Sequence, residues 1–303
     1  MKIIVNLIYG TVIALLLSGA PEPAYAVPAV AAKNGIPDPY QAKNDPMNLP
    51  VAGPVMQAGS DAAGAEFDSS VLSQSLGFIK ANLPDRVNNT HNAKVFSVDP
   101  SKLVLATTMD LQAYFVSEST ANHNAIGFNA SGIGVKDGNP ELIFPNFSSP
   151  EDLHPDAADN YSSRTASAPL LPGDFVNLGT YAKGTKLDFF MIVNALNGGT
   201  TVFNSGGASG NPDHLKHTGG FTASVFATPQ LSSPYLFINF KDAWGGYDRD
   251  YNDAVIAVNV GTATIHALMA TPEPPMSLTL GGFLALAIMT KVWLESRSGA
   301  KTA

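Results

Sequence analysis

Apolar positions along the chain fall into distinct regimes. From residue 95 to 261, short apolar or alternating runs are separated by clusters of Gly, Pro, Asn and Ser, the pattern of an all-β domain. The runs predict strands at 102–107, 111–118, 141–144, 187–194, 221–226, 235–240 and 254–260. Across Leu111 to Val116, aromatic and aliphatic residues alternate between two faces. Phe189 to Val193 is continuously apolar, as expected of a strand covered on both sides. Seven or more such strands predict a β-sandwich with Greek-key or jelly-roll-like connections.

The flanking stretches read differently. Residues 27–66 are rich in Ala, Pro, Gly and Asn without sustained periodicity, which predicts an irregular leader. Within 67–94, Asp68 opens a helical stripe of Leu72, Leu76, Ile79 and Leu83, and Pro84 stops it. This short helix is expected to pack at the domain's edge. Residues 262–271 read as a spacer.

The two ends carry the longest apolar runs. Residues 1–26 have the parts of a secretory signal: Lys2, the apolar stretch Ile3 to Leu17, and the small-x-small site Ala24-Tyr25-Ala26. Residues 272–303 begin with Pro272-Glu273-Pro274, continue as an uncharged run from Met276 to Thr290, and end with Lys291, Arg297 and Lys301. This order of parts resembles the PEP-CTERM sorting signal. Its positive residues are spread out, with Glu295 among them, where the family has a tight Arg cluster. The resemblance implies processing by an exosortase-type enzyme in a bacterium that makes exopolysaccharide. The tail is expected to be a hydrophobic helix that anchors in a membrane. The expected location is the outer face of an envelope membrane, the cell surface or the extracellular matrix.

Composition narrows the function classes. Among 303 residues the formal net charge is −8, with no Lys/Arg cluster, which argues against nucleic acid. Charged residues make up only 14 % of the chain, and there are no cysteines. Disulfides and thiolate metal sites are therefore excluded. An exported acidic chain more naturally recruits cations.

The sharpest chemical feature is the run from Phe240 to Asp253. Asp248, Asp250 and Asn252 are spaced i, i+2, i+4, Asp253 follows, and Asp242 precedes. Calcium takes six to eight oxygen ligands at about 2.3–2.6 Å, and a loop presenting oxygens at alternate positions curls them round one point. Clustered carboxylates repel one another unless a cation joins them. Without a loop glycine at position six, a Glu at position twelve or flanking helices, the run is not an EF-hand. Asp-x-Asp-x-Asn also occurs in solvated turns where the side chains bond their own backbone. Glu118 stands either as a further ligand or as an exposed strand-end residue. Asp213, His214 and His217 form a possible zinc set, set against a loop histidine bonded to backbone.

The same run, Phe-x-Asp-x-x-Gly-Gly-x-Asp-Arg-Asp-Tyr-Asn-Asp before an apolar strand, resembles a bacterial extracellular family, domain of unknown function 4114. Tyr114 to Glu118 followed by Asn124 and Gly127-Phe128, then Leu171-Pro172-Gly173-Asp174, Leu187–Val193, and Asn211-Pro212-Asp213 with His217, match it in order. Ala254 departs from it, standing where a larger aliphatic residue is usual. The resemblance implies a calcium-binding β-sandwich and no known reaction.

There is no Gly-x-Ser-x-Gly elbow and no cysteine nucleophile. The leading expectation is therefore a non-catalytic structural or adhesive protein linked to exopolysaccharide. A carbohydrate-binding module is the alternative, with Trp244 and Tyr247 as weak ligand contacts. A metal-dependent glycoside hydrolase or esterase comes third.

Overall fold

The structure is a computed structural model that describes residues 45–83, 97–150, 164–226, 233–246 and 250–270. The signal-like segment 1–26 and the sorting-like tail 272–303, with its expected helix, lie outside the described residues. Among the described residues, no helix is long and apolar enough to cross a membrane.

Among the described residues, nine strands form two antiparallel sheets. They are β1 (Met109–Ser117), β2 (Ala125–Asn129), β3 (Pro140–Phe144), β4 (Phe175–Tyr181), β5 (Asp188–Ile192), β6 (Val202–Asn204), β7 (Thr218–Thr222), β8 (Tyr235–Phe240) and β9 (Ala254–Asn259). One sheet has the order β4-β1-β9-β8-β7 and the other β3-β2-β5-β6. The chain crosses between sheets after β1, β3, β4 and β6, so both sheets assemble from distant segments.

Period-2 alternation assigns each strand's faces. Leu111, Ala113 and Phe115 of β1, Leu236, Ile238 and Phe240 of β8, and Ile256 and Val258 of β9 turn to one buried cluster. They meet Ile126 and Phe128 of β2, Phe189 and Met191 of β5 and Phe203 of β6, so the two sheets share one core. Phe190 and Ile192 turn to the other side of β5, into a smaller cluster with Ala125 and Leu142. The continuous apolar run at 189–193 is thus covered on both faces. Gly127 of β2 pairs with Phe190, and a Cβ there would stand 2.3 Å from the Phe190 ring. Only glycine lets that ring lie flat across the strand.

The outer face of the five-stranded sheet is covered by helix, not left to solvent. A helical stretch runs through α1 (Ala62–Phe67), a wider π-type turn (Asp68–Leu72) and α2 (Ser73–Asn82). Asp61 caps it, its Oδ1 accepting from the Gly64 amide at 2.6 Å. Phe67, Val71, Leu72, Phe78 and Ile79 pack on Tyr114, Val116, Phe221, Tyr235 and Phe237. Phe67 stacks on Tyr114 at 4.1 Å between ring centroids and meets Tyr235 edge-on at 5.0 Å. The helix therefore begins six residues before Asp68 and lies across a sheet face. Aromatic positions on β1 and β8 need that cover.

The described part of the leader, residues 45–66, is also more structured than expected. Val51 bridges Leu142 of β3, and Met56 bridges Phe175 of β4, so residues 50–56 tie the edges of both sheets. Val98 does the same for β7 through Gly220. Such bridges occupy edge groups that would otherwise stay open to another chain. The run at 102–107 contributes one bridge, Val104 to Lys186, and no strand. The segment read as a spacer holds α3 (Thr262–Met269), whose Ile265 and Leu268 join the shared core. Strands β2, β4 and β6 were not predicted. The run at 221–226 shifts to β7 and ends in a short 3-10 turn at Ala223–Val225.

Candidate functional site

The acidic run links the ends of two central strands. Phe240 of β8 pairs with Ala254 of β9, so residues 241–253 leave and re-enter the sheet at one level. Ser117 of β1 pairs with Val255, which brings Glu118 to the same end. Register alone thus gathers Glu118, Asp242 and Asp253, whose sequence positions span 118 to 253. Asp250, Asn252 and Asp253 are 2 %, 2 % and 4 % exposed, and Glu118 is 8 % exposed. This is not the solvated turn that the spacing alone permits. Asp248 and Tyr247 lie outside the described residues.

Each described member has a defined position. Asp242 Oδ2 accepts from Thr120 Oγ1 at 2.8 Å, Asn122 Nδ2 at 2.9 Å and Asn124 Nδ2 at 3.0 Å. The Asp242 amide donates to Asp253 Oδ2 at 2.6 Å. Asn252 Nδ2 donates to the Leu83 carbonyl at 3.0 Å, joining the acidic loop to the end of the covering helix. Glu118 Oε1 accepts from the Ser149 amide at 3.3 Å. Tyr251 adopts φ 59° and its hydroxyl donates to the Lys216 carbonyl at 2.9 Å. Among the described residues, no three His, Asp or Glu side chains form a group that could hold a metal ion. The donors that are described are all oxygens, the chemistry of a hard cation such as calcium.

A second set of bonds fixes the start of the run. His217, fully buried, lies with Nδ1 3.2 Å from the Lys241 carbonyl and Nε2 2.8 Å from Asp213 Oδ2. Its ring stacks on Phe203 at 3.4 Å. Asp213 Oδ2 also accepts from the Gly245 amide at 3.1 Å, and Oδ1 accepts from the Leu215 amide at 3.0 Å. Burial would raise Asp213, but the Leu215 amide, His217 and the Gly245 amide outweigh it and hold the carboxyl below its ordinary range. Burial pushes His217 down, against the pull of Asp213. Both ring nitrogens of His217 are engaged within the fold, which favours the backbone-bonded loop histidine over the zinc set.

Trp244 is 56 % exposed, with its ring 6.3 Å from Phe203. Sequence reasoning did not single out Thr120 or Asn122. Their signal was present, since Thr120, Asn122 and Asn124 repeat the i, i+2, i+4 spacing of the acidic run with neutral donors in place of carboxylates. Protein-family models, the curated proteins and the solved structures were each searched, and none matches this chain.

Proposed function

We propose that this chain is an exported envelope or matrix protein with a non-catalytic structural or adhesive role. Its two sheets are read as a jelly-roll-like β-sandwich stabilised by calcium at the end where β1, β8 and β9 meet. One observation carries the reading: Glu118, Asp242, Asp250, Asn252 and Asp253 converge on one end of a sheet, and four of them are nearly buried. Burying carboxylates is costly unless charge is compensated, and an oxygen-only donor set suits calcium. Asp250, Asn252, Asp253 and the open oxygen of Asp242 would hold the ion, with Glu118 and Asp248 completing the set. The ion would supply no reaction, only a clamp between loops whose binding energy adds to folding stability.

Export, sorting by an exosortase-type enzyme and association with exopolysaccharide follow from the signal-like and tail-like ends and stay part of the proposal. Carbohydrate binding is the second reading, favoured by the exposure of Trp244 beside the acidic loop. The test is thermal unfolding of the chain in calcium and in chelator. The proposal expects a higher midpoint in calcium, and identical midpoints contradict it. A glycan array in calcium tests the second reading, and a blank array removes it.

A further inference from the structure

The end of the sandwich away from the acidic run has a different surface. Met109 at the start of β1 pairs with Tyr181 at the end of β4, and β9 finishes beside them at Asn259. Loop 102–108, loop 182–186 and α3 close this end. The Leu105 amide donates to the Thr185 carbonyl at 2.9 Å, the Gly184 amide donates to the Leu105 carbonyl at 2.8 Å, and Val104 bridges Lys186. The Ala106 amide donates to Thr264 Oγ1 at 3.1 Å, which fixes α3 on the same frame. Leu103, Leu105, Ile265 and Leu268 turn into the core. Outside remain two large apolar side chains, Val104 at 42 % and Met269 at 55 % exposure, together with the exposed Lys102, Lys183 and Lys186. α3 carries no Asp, Glu, Lys or Arg. Asp110 and Asp137 are the exposed acids described at this end. Asp110 accepts from Thr180 Oγ1, and Asp137 Oδ1 accepts from the Ile133 amide at 2.7 Å beside the exposed Lys136. In a chain of net charge −8, a lysine-framed apolar rim runs against the general charge.

We infer that this end of the sandwich docks on an anionic phospholipid membrane, with Lys102, Lys183 and Lys186 at headgroup level and Val104 and Met269 at the acyl boundary; the inference rests on the tail-anchored reading above. Association of this kind scales with the apolar area buried plus the attraction of cations to anionic lipid, and each lysine near such a surface strengthens it about fivefold. Lysine stems can lie along the apolar boundary while their ammonium groups stay among the headgroups. The position of the tail in the sequence agrees. The chain passes from α3 through Pro272-Glu273-Pro274 to the uncharged run Met276 to Thr290. Residues 271–275 reach about 18 Å even when fully extended. An anchored run therefore keeps the α3 end near the bilayer, whereas the length of β1 sets the acidic end about 30 Å further out. Docked in this way, the domain holds a fixed orientation and presents the acidic run and Trp244 away from the membrane.

The chain has no cysteine, so a single introduced one carries a polarity-sensitive dye cleanly. The full chain is labelled at Val104→Cys or, as a control, at Thr200→Cys, an exposed position past the opposite end of β5. Each is mixed with phosphatidylglycerol vesicles and with phosphatidylcholine vesicles, and sedimentation of the same mixtures reports the tail separately. The expected result is a blue-shifted emission at Val104→Cys on phosphatidylglycerol, little shift on phosphatidylcholine and none at Thr200→Cys. The shift should vanish in about 1 M salt, where the Debye length is about 3 Å. Adding Lys102→Gln, Lys183→Gln and Lys186→Gln together should lower the docking equilibrium about 100-fold and abolish the shift. A chain that sediments with vesicles while the Val104→Cys label responds no more than the Thr200→Cys label overturns the inference and leaves the tail reading standing. So does an undiminished shift in the triple variant, or an equal shift with dissolved heparin, which would assign the face to a soluble polyanion. A chain that does not sediment with either vesicle overturns both.

Discussion

Two buried or half-buried aspartates of the five-stranded sheet show how differently this fold treats a carboxylate. Asp174, just before β4, is fully buried and uses both oxygens: Oδ1 accepts from the Ala58 amide and the Arg164 guanidinium, and Oδ2 from the Leu171 amide at 2.8 Å. Asp242, just after β8, gathers three neutral side-chain donors on one oxygen. Asp174 is thus neutralised inside the protein, whereas Asp242 is oriented by partners that bring no charge. Burial still pushes Asp174 above the ordinary carboxylate range, against the amides and Arg164. A closed ion pair of this kind holds segments together and offers nothing to a ligand. An aimed carboxylate with neutral partners is the arrangement that the calcium proposal calls for.

The contrast can be broken from either side. The largest effect is expected from Asp174→Ala, which strands the Arg164 guanidinium and two amides. It should cost about 3–5 kcal/mol, read by chemical denaturation, and calcium should not restore the loss. A change under about 1 kcal/mol would show that Asp174 is not the closed staple described. Next, Phe67→Ala removes the ring stacked between the covering helix and Tyr114, and should cost about 3–4 kcal/mol. Loss of helical circular dichroism before the β signal would mark the helix as separable from the sheet. Third, calcium at about 100 times its Kd should raise wild-type stability by about 2.7 kcal/mol. Asp242→Asn should remove most of that increment while leaving stability in chelator almost unchanged.

The smallest expected effect is on pH dependence. His217 has a folded-state pKa below its unfolded one, so the unfolded chain takes up the proton first as pH falls. Its contribution is present above about pH 6.5, the ordinary histidine value, and is lost as pH falls through the folded value. In chelator, stability should therefore decline from neutral toward pH 5, and His217→Phe should flatten the decline. Asp213, held low, should hold its contribution until pH drops below about 4. An unchanged slope in His217→Phe would count against the buried pair.

Much of the sheet was legible because strong alternation survives in the central strands. The run at 235–240 is β8 to the residue, and β1, β5 and β9 fall within two residues of their predicted limits. The missed strands are those whose pattern is diluted. Gly127 interrupts β2, Asn177 and Gly179 interrupt β4, and β6 is only three residues long. Lys102 to Thr107 looked like a strand because Leu103 to Ala106 is a short continuous apolar run, yet Leu103 and Leu105 fill the core from a loop. The start of the covering helix was hidden by Ala, Gly and Asp at 58–66, which carry little periodicity until Phe67 finds its aromatic partners.

The candidate site was half legible. Alternating oxygens at 248–252 announce chemistry locally, because ligand spacing within one loop is a sequence property. The clamp from Thr120 and Asn122 is a property of register, visible only when β1 and β9 pair and set the β1–β2 loop against the acidic run. His217 is similar. Its partner Lys241 is assigned by the pairing of β7 with β8, whereas Asp213 stands four residues before it and belongs to the set already read from the sequence.

The most direct test of a calcium-clamped sheet end is anomalous diffraction from crystals of this chain soaked in calcium. The account predicts a peak within about 2.3–2.6 Å of oxygens from Asp250, Asn252, Asp253 and Asp242 Oδ1, with Asp242 Oδ2 still held by Thr120 and Asn122. Ordered loops without such a peak, or a peak elsewhere with these side chains unmoved, would contradict it.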